Sequence, residues 1–331
     1  MKINPTLRGR LTVVAQGEVS SPAISADGKV VAYNEFKNGE TAVYRHENDQ
    51  VVKISDGYAS MHPDLSADGS KIVFTRFNQK NVKDPGNWDV ALWNEETGKT
   101  EMVSAEVGNE MSPSISDDGR VIVWDDDVNG KFGGNNIVKK VGDEVQHVTK
   151  SQRLDMFPVV SGDGSRIVWR RYSEGKSSVF IEDQNGVVKP YLEAEGNLIS
   201  PSLSADGYSM LYADKSGKDE DLMMYDDRRG TIATVAGVEG VRESSGDISG
   251  DGRTATWTGM DFRKGAPADT NVYIRRTGEA VQVTTHEGGR HSQPKVSHDG
   301  NTLVWTWADG DNVKDRIIYK LELDEANPGQ H

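Results

Sequence analysis

The sequence predicts an all-β chain, a single seven-bladed β-propeller with four antiparallel strands per blade, and three observations predict it. Ser-x-Asp-Gly occurs seven times, with its Asp at 27, 68, 118, 163, 206, 251 and 299. Successive Asp residues lie between 41 (27 to 68) and 50 (68 to 118) residues apart, the period of a propeller blade. Six residues after each Asp stands an aromatic: Tyr33, Phe74, Trp124, Trp169, Tyr212, Trp257 and Trp305. Three residues before each Ser stands a proline, except in the sixth repeat, where Gly246 takes its place.

Each repeat divides into strands in the same order. The stretch from Pro to Ser is the first strand, with its proline near the start, where a missing N–H is tolerated. Asp-Gly follows as a tight turn, the glycine supplying a positive φ. The second strand, such as "RVIVW" from Arg120, is apolar on both faces and is expected to be buried on both. Third strands read like "TAVYRHE" or "NVYIRR", and fourth strands like "QVVKIS" or "AVQVTT". The seventh repeat supplies three strands, ending at "DRIIYKLEL". Its fourth is expected from the other end of the chain, because "RLTVVAQGEVSSPAIS" from Arg10 aligns with "EAVQVTTHEGGRHSQPKVS" from Glu279. Pairing of the N-terminal strand with the last blade would close the ring and remove an open edge. One domain then spans residues 1–331, with repeats over about 7–323 and a tail over 324–331.

Composition limits the partners. A net charge of -14 disfavours nucleic acid and anionic membranes, which bind basic surfaces. No run approaches the roughly 18 apolar residues of a transmembrane helix. The absence of cysteine removes disulfides, thiolate metal sites and cysteine nucleophiles. If Met1 is the native start, "MKINPTL" leaves no room for a secretory apolar segment, and a cytoplasmic, monomeric protein is expected. A trimmed leader would instead place it in the periplasm or outside the cell.

The pattern "SPxxSxDGxxVxW" resembles the WD-like propeller repeats of TolB, which also occur in propeller domains of prolyl-oligopeptidase-type enzymes. The resemblance covers nearly the whole chain and implies the propeller fold. TolB carries a further N-terminal domain, so its partners are not carried over.

Function is expected where the repeats stop agreeing, on the face formed by loops into first strands and loops from second to third strands. That face offers Phe77, Trp88, Phe132 and Phe262 as aromatic anchors, and His62, Arg153, Asp155, Arg290 and His291 as polar contacts. Glu110, Arg242 and Glu243 fall in the same loops. Aromatic and charged side chains around an opening suit a protein or peptide ligand. The same residues read equally as ordinary solvated loops. "DDDVNG" places Asp125, Asp127 and Asn129 at alternating positions before Gly130, the first half of a calcium loop, but Asn136 stands where the bidentate Glu belongs. Calcium is the ion this half-motif would take, and no other cofactor is expected. No nucleophile elbow, phosphate loop or paired-histidine zinc motif is present. The expectation is therefore a non-catalytic propeller that binds a protein or peptide. The alternatives are a lyase of acidic sugars and an accessory propeller serving a separate catalytic protein.

Overall fold

A computed structural model describes the chain apart from residues 57–58, 79–86, 105–107, 128–133, 151, 193–197, 216, 264–268, 277, 286–288, 311, 313 and 325–331. The described residues form strands and turns, with no helix among them. Repeat one contains β1 (Gly9–Ile24), β2 (Val31–Lys37), β3 (Glu40–Glu47) and β4 (Gln50–Lys53). Repeats two to five each form a separate sheet of four antiparallel strands in chain order. The strands of repeats six, seven and one run together into an 11-stranded sheet.

β1 serves two repeats. Residues Gly9 to Gly17 pair antiparallel with the last strand, Arg316–Leu323, and residues Glu18 to Ile24 pair with β2. Before it, Asn4 donates its N–H to the Val283 carbonyl at 2.8 Å, and Ile3 bridges Thr284. The first residues of the chain thus touch repeats six, seven and one in turn.

The repeated turn is held by the residues that define it. In every repeat the Ser Oγ donates to the Asp Oδ1 at 2.5–2.8 Å. The same Oδ1 accepts the N–H two residues further on, and Ser Oγ accepts the N–H five residues after it. The glycine has φ between +66° and +73°, where a Cβ would be strained. Turns also bond to their neighbours: Ala26 N–H to Ala67 O, Ala67 to Asp117, Asp117 to Gly162, Asp163 to Ala205, Ala205 to Gly250, and His298 to Ala26.

The aromatic six residues after each Asp is buried in all seven repeats. Each packs on apolar side chains of the preceding repeat: Trp169 on Val123 and Ile137, Trp257 on Leu211 and Leu222, and Tyr33 on Val304 and Ile318. The repeated residues are structural, as the sequence predicts.

One regular feature lies outside the sequence expectation. The residue before each Pro, and Ser245 before Gly246, has φ between +51° and +55°. Strand register shifts at the same place in all seven repeats, so each first strand carries a bulge. The bulge lifts the pre-proline side chain out of the sheet, which leaves His62, Phe157 and Gln293 exposed.

Candidate functional site

At the end of the molecule opposite the Asp-Gly turns, repeats five and six enclose a small polar cavity of about 140 Å³. Its walls include Lys215, Lys218, Asp219 and Glu220, from the segment between strands Ser209–Asp214 and Asp221–Asp226. Arg242 comes from the start of strand Val241–Ile248, and Phe262 follows strand Ala255–Asp261. The backbone fixes these walls against each other. Glu243 N–H donates to the Glu220 carbonyl at 2.8 Å, and Phe262 N–H to the Gly240 carbonyl at 2.8 Å. Gly240 N–H in turn donates to Asp219 Oδ2 at 2.9 Å.

The charges in the cavity are ordered. Glu220 is buried, and its Oε2 lies 3.1 Å from Lys215 Nζ and 3.8 Å from Arg242 Nε. The Arg242 guanidinium lies 4.9 Å from the centre of the Phe262 ring, a cation–π contact that holds the ring beside the charge. Three cationic side chains and two carboxylates line it, and the carboxylates of Asp221 and Glu243 stand near Asp219. Nearby Glu243 is buried and accepts the Val238 N–H; burial pushes its carboxyl up to about 7, with Asp221 and Asp219 adding to the effect. A cavity with cations, an acceptor and an aromatic wall can take a small anion that also has an apolar face.

The residues predicted for this face are placed in different ways. Phe262 lines the cavity. Phe77 and Trp88 are cross-strand partners with ring centroids 5.2 Å apart, edge to face, both half-buried on their own sheet. Arg153 and Arg290 are exposed at the entries to their first strands, and His62 is exposed at its bulge. Asp155 does not face outward. It is fully buried in a two-pronged ion pair with Arg171, at 2.5 and 2.7 Å, and Arg171 lies over the Phe180 ring at 3.9 Å. His291 is likewise buried, its ring 6.5 Å from that of Trp305, so it is not a polar contact on the surface. Both sit on the inward side of the strand alternation. Phe132 lies outside the described residues.

The half-motif for calcium is also rearranged. Asp125 belongs to strand Val121–Asp126 and is buried; its carboxylate accepts Phe157 N–H at 3.2 Å and Asn135 Nδ2 at 3.3 Å. Burial, opposed by these bonds, raises its carboxyl to about 6. Asp127 is half-buried, and Asn129 lies outside the described residues. Asp125 thus ties repeat three to repeat four instead of opening into a loop. Among the described residues, no three His, Asp or Glu side chains are placed to hold a metal ion.

One feature escaped the sequence reading, and one residue expected on the loop face is buried instead. The segment bearing Lys215 and Glu220 is short, and weight given to long loops passed over it. Glu110 lies buried beside Asp89 and Asp126, and accepts from Ser104 Oγ at 3.1 Å. Burial, reinforced by these two carboxylates, pushes Glu110 up to about 9.

No family model matches the chain, and no curated protein matches its sequence. Solved structures match its shape. Oligogalacturonate lyase from Vibrio parahaemolyticus is similar with a TM-score of 0.73 at 13% identity, over 98% of each chain. An oligogalacturonate lyase in complex with manganese gives 0.71 at 13% identity, over 98% of this chain and 96% of that one. TolB from Acinetobacter baumannii gives 0.54 at 17% identity, over 91% of this chain and 65% of that one. The fold is that of a TolB-like β-propeller.

These findings correct the expected function. A non-catalytic propeller that holds a protein or peptide is the weaker reading, because two of the structures that align along nearly the whole of both chains are oligogalacturonate lyases and another is the propeller domain of a protease.

Proposed function

We propose that this propeller is an enzyme acting on acidic oligosaccharides, with the cavity of Lys215, Lys218, Arg242 and Phe262 as the place that grips the sugar acid. The observation that carries the reading is the likeness along nearly all of both chains to oligogalacturonate lyases, joined here by Lys215, Lys218 and Arg242 around one cavity. A molecule of net charge -14 repels a polyanion in general, so a local cationic cleft is needed to capture one. Arg and Lys bind a carboxylate through charge-assisted hydrogen bonds. The Phe262 ring offers a surface for the C–H face of a sugar.

The reaction class that such a grip serves is β-elimination. Cations on a sugar carboxylate stabilise the negative charge that develops when the proton on the adjacent carbon leaves. The C–H bond breaks, a double bond forms, and the neighbouring glycosidic C–O bond breaks to release a shortened sugar. The proton passes to a base and then to the departing oxygen. Manganese in one similar lyase raises the question of a metal here. The described residues do not form a histidine or carboxylate cage for one, so no step is routed through it.

The finer architecture belongs to the same proposal: seven blades in a closed ring, completed by the N-terminal strand. The pairing of β1 with Arg316–Leu323, the packing of Tyr33 on Val304 and Ile318, and the bond from His298 to Ala26 support it. A rigid ring would hold repeats five and six at the fixed spacing the cavity needs.

The test is incubation of purified protein with oligogalacturonates, with and without added manganese, following the ultraviolet absorbance of an unsaturated product. Product from these sugars and none from neutral glucose oligomers is expected. Absence of product in both conditions, together with no measurable binding of the acidic sugars, would overturn the proposal.

A further inference from the structure

We propose that Asp117 and His298 form a proton-dependent latch across the turn end of the molecule, tying repeat three to repeat seven. The latch rests on the closed ring proposed above and is independent of the sugar reading. Between the Ser and the Asp of each turn stands one residue: Ala26, Ala67, Asp117, Gly162, Ala205, Gly250 and His298. These residues carry the turn-to-turn backbone bonds, Ala26 N–H to Ala67 O, Ala67 to Asp117, Asp117 to Gly162, and His298 to Ala26. Seven backbones in a ring, spaced about 4.8 Å apart, leave about 11 Å across the middle. Alanine and glycine are too short to reach over it. Asp117 and His298 do reach: His298 Nε2 lies 3.5 Å from Asp117 Oδ1, although their turns are not neighbours.

The small residues are arranged around the pair. Gly162 stands in the turn after Asp117, and Gly250 in the turn before His298. A Cβ on Gly162 would run into the Asp117 carboxylate, and one on Gly250 would lie 2.7 Å from His298 Cγ. Neither glycine has a positive φ, so space for the two long side chains, and not backbone conformation, calls for them.

Both partners titrate. Burial raises the Asp117 carboxyl above its ordinary range, His298 opposes the rise, and Asp163 of repeat four and Asp118 of the same turn add to it. The turns around His298 carry Asp251, Asp27 and Asp299, with Lys29 held on Asp27 at 2.7 Å. A raised carboxyl alone favours the folded state at low pH, and that stability is lost as pH rises through the folded value. A protonated imidazole offsets the loss by pairing with the carboxylate. The offset fades as imidazoles give up their proton above about pH 6.5, so the latch is closed on the acid side and released on the alkaline side.

Two measurements on the full chain test this. The chain has no cysteine, so Asp117→Cys with His298→Cys supplies its only thiols, which a short bis-maleimide should join within one molecule. Absence of that cross-link in the folded protein would overturn the latch and the ring with it. Chemical denaturation of the wild type, Asp117→Ala, His298→Ala and the double variant then reads the coupling between the two side chains. Alanine already stands at this place in repeats one, two and five, so these variants keep a residue the turn accepts. A coupling of about threefold to fivefold in the folding equilibrium is expected at about pH 6, falling to none at about pH 8.5. No coupling at the lower pH, or equal coupling at both, in a chain whose cysteine variant cross-links would overturn the latch and leave the ring standing.

Discussion

Burial beside Asp89 and Asp126 holds the Glu110 carboxyl at about 9, while burial holds Glu243 at about 7 and Asp125 at about 6. In the unfolded chain such groups titrate near 4. Between these limits the folded state binds more protons than the unfolded one, so the stability they contribute is fully present below about pH 4 and is lost as pH rises towards about 9. These three groups should therefore lower the melting temperature as pH rises across that window, opposed in its lower part by His46 and His62, whose imidazoles burial holds below their ordinary range. Glu110→Gln should flatten its upper part, and a melting profile in Glu110→Gln as steep as that of the wild type between pH 7 and 9 would contradict the assignment. The aromatics divide by burial in the same way. Trp169 is fully buried between repeats, so Trp169→Ala should cost about 3–5 kcal/mol in chemical denaturation. Phe77 is only half-buried against Trp88, and Phe77→Ala should cost about 1–2 kcal/mol. Equal losses would mean that one of them is misplaced. Trp169 is legible in the sequence because it recurs at one offset. The fate of Asp155 is not, because nothing in the spacing of Asp155 and Arg171 announces that their side chains meet.

The repeated turn is the element the sequence writes most plainly, since Ser, Asp and Gly each satisfy a local bond within a few residues. Asp163→Ala removes the acceptor for Ser161 Oγ at 2.6 Å and for Ser165 N–H at 2.9 Å, and should cost about 1–2 kcal/mol. Unchanged stability in denaturant would show that these bonds contribute nothing net. The bulge before each proline is a different case. Its positive φ arises from how the first strand pairs with the second, and Ser, His, Phe and Gln all adopt it, so no single residue type signals it. β1 is legible only by comparing the two ends of the chain, and its structure is more divided than that comparison suggests, with separate halves on two repeats. Deleting residues 1–16 should expose the edge of Arg316–Leu323 and strip Leu11 and Val14 from the clusters they complete. Loss of cooperative melting is expected, and a truncated chain that melts like the full one would refute ring closure by this strand.

At the scale of the molecule, the fold is readable because seven repeats say the same thing, and the site is harder to read for the same reason. Lys215 and Glu220 lie in repeat five, Arg242 and Phe262 in repeat six, and only the packing of neighbouring repeats brings them together. No local motif contains them, and no long loop advertises them. The opposite face bears cations too, but they serve the turns: Lys29 pairs with Asp27, Arg120 with Asp118, and Arg166 is buried against Asp227. A polyanionic sugar should therefore discriminate between the two faces, and more sharply at low salt, where charge is least screened. The most direct measurement is the affinity of trigalacturonate, by calorimetry, for the wild type, for Lys215→Ala with Arg242→Ala, and for Lys29→Ala with Arg120→Ala, each checked for an unchanged melt. The account predicts a loss of at least about tenfold in the first pair and wild-type affinity in the second. Wild-type affinity in the first pair, or loss confined to the second, would contradict it.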